Sequence, residues 1–480
     1  MTLTLLALIP LAGAAAVWLI GRYRPSAARV TAVVAALIQL AFTGFVATTV
    51  ALHTPSTMTG GLTSMSQSFW LLRIDGLALP LVALTSLLGV VAVLASWRVE
   101  MRPGDHFALL LALQAAVTTV FLADHLVLFY AAWEAVLIPM FFLIGGWGHE
   151  GRRHAAMKFF VYTFAGSALM LVGLLLVGFT TGEMRMSVLD AGVLDPSLRT
   201  LVFWLLLAGF AVKVPIFPLH TWLPDAHVEA PTAGSIMLAG VLLKMGGYGL
   251  LRLALPLVPE AAHAAAPLLA TLGIIGIVYG AVVALAQTDL KRLVAYSSVA
   301  HMGFVVLAIA TGSPLALAAA MLVMVAHGLT AGLLFLLVGQ LYDRTHTRAL
   351  ARLGGLLATI PVWGTLFVFG WLASLGLPGL AGFPGELLAF LEGLASWGWW
   401  MAVVAVGVVL AGAYSLRAVR TVAHGPQKPE WSGIHDLDRM DVFAAAPLAL
   451  LIVVIGVWPS LVTGVMAPVA RALAAVVGRG

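Results

Sequence analysis

The 480-residue sequence contains no cysteine, and charged residues make up only 9% of it. The first absence excludes disulfides, thiolate metal sites, cysteine-held iron–sulfur clusters and c-type haem attachment. The scarcity of charge, together with 62% hydrophobic residues, excludes a soluble globule and is typical of a polytopic helical membrane protein. Glycine is abundant, but no Walker or dinucleotide-binding loop is present. The first apolar run lacks the basic start of a signal peptide, so we interpret it as a transmembrane helix.

Apolar runs of roughly 20 residues, the length that crosses about 30 Å of hydrocarbon, recur along the chain. A polar loop rich in Ser, Thr and Gly interrupts them between His53 and Arg73. We predict an all-α polytopic membrane protein with about 14 transmembrane helices, near residues 2–20, 30–52, 75–97, 106–122, 126–147, 155–180, 200–222, 232–254, 264–286, 293–311, 314–341, 359–391, 398–416 and 442–466.

Most of the 25 lysine and arginine residues fall in every second loop. By the positive-inside rule, this bias predicts that both termini lie on the outer side of the membrane. The arginine-rich loops are therefore topology determinants, so we expect membrane lipid around the chain and no nucleic-acid partner.

Two of the predicted helices are interrupted next to a lone charge. Pro215 and Pro218 follow Lys213, and each proline removes a backbone donor and clashes with the preceding turn. Glycines and prolines in 376–385 precede Glu386 in the same way. Interrupted helices at corresponding positions of two halves are typical of inverted-repeat transporters with a site near the membrane midplane.

The spacing of the interruptions predicts the domain organisation. They lie five predicted helices apart, and an odd number of helices per repeat inverts the second copy. We therefore predict three N-terminal helices in 1–104, two inverted five-helix repeats in 105–262 and 263–424, each with a broken helix, and a loop with a final helix in 425–480.

Lys213 and Lys244 are the basic residues that this topology leaves inside hydrophobic helices. A charged side chain at that depth costs roughly 2.5–3.5 kcal/mol, so it requires a partner, water or a function. We predict an ion pair between Lys213 and Glu134, the lone charge of its helix, that exchanges protons; a static salt bridge is the alternative. Lys244 has no acidic partner in its helix, which favours a neutral amine that accepts protons over a lysine that snorkels to the surface.

Four further candidates are Glu386, His220, His301 and His327. Glu386 either takes part in proton transfer or is an acid at the start of a helix, where a carboxylate is favourable. Each histidine can donate and accept a proton near neutral pH, and structural hydrogen bonding is the alternative role. The histidines lack the pairing across two helices that haem ligation requires.

Five segments carry a resemblance to a known family. They are AAWEAVLIPMF, AVKVPIFPLHTWLPDAHVEAPTAGSIMLAGVLLKMGGYGLLR, QTDLKRLVAYSSVAHMGF, MVAHGLTAGLLFLLVGQLYDRTHTR and GLPGLAGFPGELLAF. They resemble the antiporter-like subunits of bacterial NADH-quinone oxidoreductase, respiratory complex I, and among these subunit M. The segment from HVEAPTAGS to KMGGYGLLR favours the M type.

The resemblance implies a proton-translocating subunit of the bacterial inner membrane, part of a NADH:quinone oxidoreductase and without redox chemistry or a cofactor of its own. NADH, FMN, iron–sulfur clusters and quinone are expected in partner subunits, and L-type and N-type antiporter-like subunits are the expected neighbours. The resemblance also implies that Glu134 and Lys213 are the ion pair of the first half, Lys244 the central relay, and Glu386 the residue near the outlet. His301 and His327 match histidines of the central hydrophilic axis.

Two other functions compete with this interpretation. A multisubunit sodium/proton antiporter would share the fold but differ in coupling. A passive spacer of the membrane arm would need no chemistry, and isolated intramembrane charges argue against it because each is costly.

Overall fold

The computed structural model describes residues 2–53, 65–67, 71–189 and 194–478. Its helices are α1 (Thr2–Gly21), α2 (Pro25–His53), α3 (Ala78–Ala95), α4 (Pro103–Leu122), α5 (Leu126–Trp147), α6 (Arg152–Thr181), α7 (Pro196–Lys213), α8 (Trp222–Glu229), α9 (Thr232–Leu257), α10 (Pro259–Ala286), α11 (Leu290–Thr311), α12 (Pro314–Thr345), α13 (Pro361–Ser374), α14 (Gly382–Trp397), α15 (Met401–Ala418), α16 (Arg439–Val457) and α17 (Ser460–Val477).

Shorter elements join these helices. Strands β1 (Met65–Gln67) and β2 (Leu72–Ile74) pair antiparallel, with Met65 opposite Ile74. A four-residue helix covers Leu356–Thr359, single 3-10 turns cover Leu350–Arg352, Gly398–Trp400 and Pro429–Trp431, and a π-helical turn, Val419–His424, extends α15. The predicted polar loop from His53 to Arg73 lies mostly in 54–64 and 68–70, outside the described residues.

Within the described ranges, fourteen helical segments are long and apolar enough to cross a membrane, if α14 and α15 are counted as the single segment Gly382–His424. This confirms the predicted all-α polytopic fold. The members of that set differ from the prediction near the C-terminus. The predicted helix 442–466 is wrong in its bounds, because the chain bends at Trp458 and forms α16 and α17 instead. Pro459 explains the bend, since a residue before proline is pushed out of the helical region.

Both predicted helix interruptions are present. Helix α7 ends at Lys213, and helical structure resumes at Trp222 in α8. The indole Nε1 of Trp222 donates to the carbonyl of Val212 at 3.0 Å, which satisfies a carbonyl near the end of α7. Helix α13 ends at Ser374, and α14 begins at Gly382.

The centre of the molecule consists of α9, α11 and α12. Almost every side chain of these three helices is buried, whereas α1, α2 and α6 expose many apolar side chains. Gly240 in α9 and Gly328 in α12 meet at the crossing of their helices, where a Cβ atom on Gly328 would lie 2.8 Å from the Gly240 carbonyl oxygen. Small residues at helix crossings allow such close packing in membranes.

The loops lie on two faces of the helical bundle. We call one the arginine-rich face, because Arg98, Arg344 and Arg348 lie there; it comprises the segments 22–24, 96–102, 148–151, 287–289, 346–349 and 425–438. On this face Asp441 binds both Arg98 and Arg344, at 3.1 and 2.6 Å. The opposite face comprises 71–77, 123–125, 182–189 and 312–313.

A buried ion pair anchors α9 at the opposite face. Both carboxylate oxygens of Asp75 accept from Arg252 of α9, at 2.6 and 2.7 Å, and Arg73 lies 3.5 Å away. Burial raises the pKa of Asp75, but the Arg252 guanidinium outweighs burial and lowers that pKa to about 2. The pair therefore remains charged over the whole physiological pH range.

Candidate functional site: a buried line of titratable side chains

Lys244 lies at the centre of the bundle, in α9, between π-helical turns at Leu238–Leu242 and Leu250–Ala254. It is completely buried. Its Nζ donates to the Ala239 carbonyl at 2.5 Å and lies 2.6 Å from Nδ1 of His327. No carboxylate of the described residues lies within salt-bridge distance of Lys244, so an imidazole takes the place of the acidic partner that its helix lacks.

His327 connects Lys244 to the next histidine. The rings of His327 and His301 lie 5.5 Å apart, centroid to centroid, at 47°. Nε2 of His327 is buried without a hydrogen-bond partner. A cavity of about 10 Å³ lies beside the two rings, and Ser297 and Thr330 also line it. That volume is about what one water molecule needs.

His301 continues the line to Glu386. Its Nδ1 lies 2.7 Å from Oε1 of Glu386, and its Nε2 lies 3.1 Å from Oγ of Ser374. The Glu386 side chain is 15% exposed. Four of the predicted site residues, Lys244, His327, His301 and Glu386, therefore form one nearly continuous line that crosses from α9 through α12 and α11 to α14.

The second helix break places Glu386 at the end of this line. Gly376 adopts a φ of +78°, a conformation that favours glycine, and a Cβ atom there would lie 3.3 Å from Oε2 of Glu386. Pro384 lies in the first turn of α14, where a helix needs no backbone donor. Glu386 follows within the next turn, so both of its predicted features, an acid near a helix start and a proton-transfer partner, are compatible with this position.

The first helix break holds Lys213 in a different environment. Its Nζ is buried and has no hydrogen-bond partner among the described residues. The rings of Trp133 and Phe159 lie 5.5 and 5.6 Å from it. Glu134 is the carboxylate whose charge acts on Lys213, but the two form no salt bridge, and Oε1 of Glu134 is also unpartnered within the described chain. The predicted ion pair is therefore not in direct contact here.

His220 is not part of the line. Its ring packs against Phe217 and Tyr279, at centroid distances of 5.6 and 5.0 Å, and no hydrogen bond in the described chain joins it to Lys213. The prolines between Lys213 and His220 redirect the backbone, so a spacing of seven residues does not keep the two on one helix face.

The sequence analysis missed two buried groups, Lys291 and His227. Lys291 lies just before the predicted helix 293–311, but it is only 3% exposed, so Lys213 and Lys244 are not the only buried lysines. A signal was available, because Asp289 caps the start of α11 by accepting from Arg292 and so places Lys291 within the first turn. His227 lies in α8 and is fully buried.

Comparison with known proteins places this geometry in a family. The profile described as "NADH:quinone oxidoreductase/Mrp antiporter, TM" matches residues 123–412, more than half of the chain. The chain belongs to this family. The match includes both helix breaks and every residue of the line from Lys244 to Glu386.

Curated relatives identify the branch of the family. The chain is 46% identical over 411 residues to NADH-quinone oxidoreductase subunit M of Pseudomonas aeruginosa, covering 82% of this chain and 80% of the relative. It is 43% identical over 412 residues to subunit M of Rhodobacter capsulatus, covering 83% and 80%. These relatives confirm the resemblance to subunit M.

Solved structures agree with the fold. A chain of respiratory complex I from Thermus thermophilus matches with a TM-score of 0.89 at 31% identity, and both chains are covered completely. A chain of the Mrp complex from Dietzia matches with a TM-score of 0.82 at 28% identity, covering 98% of this chain and 52% of that one. The architecture is therefore that of an antiporter-like membrane subunit.

Proposed function

We propose that this chain is a proton-translocating, antiporter-like subunit of the membrane arm of an NADH-quinone oxidoreductase. The observation that carries the proposal is the buried line from Lys244 through His327 and His301 to Glu386. Each member can hold and release a proton. Titratable groups buried in a membrane protein are energetically costly, which favours a functional role for them.

The line supports a stepwise transfer. Lys244 gives a proton to Nδ1 of His327, which already lies at hydrogen-bond distance. His327 releases the proton on Nε2 across the small cavity to the ring of His301, through one bridging water. His301 then passes a proton from Nδ1 to Oε1 of Glu386. Each imidazole accepts at one nitrogen and donates from the other, so the line returns to its starting state after one tautomer exchange.

The first half supplies the control of this transfer in our proposal. Glu134 acts on Lys213 without direct contact, and movement of Glu134 further away weakens the attraction that favours the Lys213 ammonium, so Lys213 gives up its proton towards Lys244. We also propose the domain division stated above, with inverted five-helix repeats in 105–262 and 263–424 between the terminal segments 1–104 and 425–480. The two helix breaks support it, because each adjoins one of the essential charges. His220, which lies beside the first break, would take part in proton transfer in this first half.

The redox chemistry that drives this transfer would lie in other subunits. NADH oxidation, FMN, iron–sulfur clusters and quinone reduction belong to partner subunits in this proposal, and L-type and N-type antiporter-like subunits are the neighbours in the membrane arm. The arginine-rich face would lie on the cytoplasmic side of the bacterial inner membrane, with both termini outside.

A sodium/proton antiporter is the second candidate, favoured by the structural match to the Mrp complex. The side chains argue against sodium as the ion moved along the line. A sodium ion requires oxygen ligands, whereas the line begins with an ammonium and two imidazoles. In the described ranges no three His, Asp or Glu side chains converge on a common cation position.

Lys244→Met tests the proposal in membrane vesicles that contain the whole complex. We expect NADH-driven proton pumping to fall about tenfold or more, because positioned acid–base groups contribute at least that much. The purified complex should still contain this chain in the parental amount, which would show that the complex assembles. Lys428→Met, in the 425–438 segment, is the matched control. Parental pumping by the Lys244 variant would refute the proposal, and a strict requirement for sodium would favour the antiporter.

A further inference from the structure

A large cavity opens at the arginine-rich face. Its volume is about 220 Å³, and its lining includes Lys291, His149, Arg348, Thr232 and Gly339. We call it the vestibule. Burial, then the charges of Lys291 and Arg348, lower the pKa of His149 to about 4, so that ring is neutral at pH 7. The vestibule has room for many water molecules, and the line from Lys244 to Glu386 makes no use of it.

Lys291 lies at the inner wall of the vestibule. Its Nζ donates to the Ala230 carbonyl, just beyond the end of α8, at 2.5 Å. This bond has a simple structural explanation, because a cation near a helix C-terminus satisfies its free carbonyls. A proton carrier at this position would make the same bond, so the bond alone does not decide the role of Lys291.

His227 has no such structural explanation. The residue is completely buried, and neither ring nitrogen has a hydrogen-bond partner among the described residues. The ring stacks on Phe335 at 4.4 Å and 11°. A buried imidazole that only packed would lose little by being an apolar ring and would avoid two unsatisfied nitrogens.

The position of Phe335 places His227 between the vestibule and Lys244. Along α12, Phe335 lies four residues from Gly339, which lines the vestibule, and eight from His327, which contacts Lys244. These spacings correspond to about 6 Å and about 12 Å along the helix axis. The charges of both Lys291 and Lys244 act on the His227 ring, which is consistent with a position between them.

We propose that Lys291 and His227 form an uptake branch that carries protons from the vestibule at the arginine-rich face to Lys244. The inference rests on the proposed function of Lys244. The Lys291 ammonium gives one proton to one nitrogen of His227 through bridging water, and His227 releases one from its other nitrogen to the Lys244 amine, again through bridging water. A proton from the bulk solution then crosses the vestibule water to the Lys291 amine, and His227 exchanges tautomers, so one proton enters for each proton delivered.

Variants of Lys291 separate proton transfer from helix capping. Lys291→Arg keeps a cation on the Ala230 carbonyl but does not release protons, because a guanidinium stays charged. We expect its pumping rate to fall about tenfold or more, to the level of Lys244→Met. Lys291→His should recover part of the pumping rate. Its optimum for pumping should lie at lower pH, because imidazole has an ordinary pKa of about 6.5. Lys428→Arg is the matched control and should pump normally.

His227→Phe gives an independent measurement, because a phenyl ring keeps the stack on Phe335. We expect the same loss of pumping with normal assembly, judged by the amount of this chain that the purified complex retains. If Lys244→Met blocks pumping but Lys291→Arg and His227→Phe both pump normally, the uptake branch is refuted and the proposed function stands. Normal pumping by Lys291→Arg, with a loss in Lys291→His, would show that Lys291 only caps α8 and carries no proton. If Lys244→Met itself pumps normally, both proposals fail.

Discussion

Each helix break lies beside a lone charged side chain, but the two side chains differ in their hydrogen bonding. At the first break, Lys213 and Glu134 each carry an atom without a hydrogen-bond partner in the described structure, Nζ and Oε1 respectively. At the second break, Glu386 is bonded to His301, and His301 is bonded in turn to Ser374. One half of the molecule is therefore disconnected and the other is connected.

In the proposed function, this difference corresponds to different roles for the two halves. A line of groups at hydrogen-bond distance can pass a proton without rearrangement, whereas two charges held apart respond to any movement that changes their separation. The Coulomb energy between them varies inversely with distance and is large where water is excluded. We infer that the disconnected half senses and the connected half conducts.

The largest effect that we predict concerns the ion pair that anchors α9, the helix that carries Lys244. Asp75→Asn removes the charge that pairs with buried Arg252 in α9. Breaking a buried pair by removing one partner typically destabilises a protein by about 3–5 kcal/mol, because the other charge stays buried without compensation. We expect a lower midpoint of thermal unfolding for the solubilised complex that contains Asp75→Asn.

The pH dependence of that effect provides its control. The pKa of Asp75 is about 2 in the folded chain, below its ordinary value of 3.8. The pair therefore stabilises the fold above pH 3.8, and this contribution is lost as the pH falls towards 2. The difference between parent and variant should be constant at neutral pH and shrink in strong acid. A difference that persisted at pH 2 would mean that Asp75 acts through something other than its charge.

The second prediction compares the two carboxylates. Glu386→Gln keeps the shape of the side chain but cannot accept a proton from His301, so we expect pumping to fall about tenfold or more. Glu134→Gln leaves the line from Lys244 to Glu386 intact and removes only a distant charge, so we expect a smaller loss. Proton pumping by the two variants, measured in matched vesicle preparations at several rates of NADH oxidation, checks which loss is larger. Equal losses would remove the distinction between sensing and conducting halves.

The fold was largely predictable from the sequence, because hydrophobic length and prolines act locally. Apolar runs of membrane-spanning length gave the helices, and Pro215 and Pro218 marked the end of α7. The error at the C-terminus also has a local cause. The apolar run continues past Trp458 and Pro459 without a charged residue until Arg471 to mark the bend, so the sequence predicts one helix where the structure has two.

The site was predictable in its members but not in its connections. An isolated charge in an apolar helix is visible in the sequence, which is why Lys244 and Glu386 were found. Which side chains are in contact depends on how separate helices cross. The local sequence does not show that Lys244 contacts His327, or that Lys213 and Glu134 are not in direct contact. His227 was not predicted because it lies in α8, a helix of only eight residues. So short a helix shows no hydrophobic periodicity that would mark its buried face.

The smallest effect that we predict concerns the hydrogen bond between Ser374 and His301 in the connected half. Ser374→Ala removes the hydroxyl bonded to Nε2 of His301 and leaves that nitrogen without its partner. A lost hydrogen bond of this kind is worth about 0.5–1.5 kcal/mol, so we expect pumping to fall only a fewfold. Ser415 is the matched control, because its hydroxyl is equally buried but unpartnered in the described chain, and Ser415→Ala should pump like the parent. Pumping that changes equally in both variants would mean that buried hydroxyls act through packing, and that His301 needs only Glu386 to stay oriented.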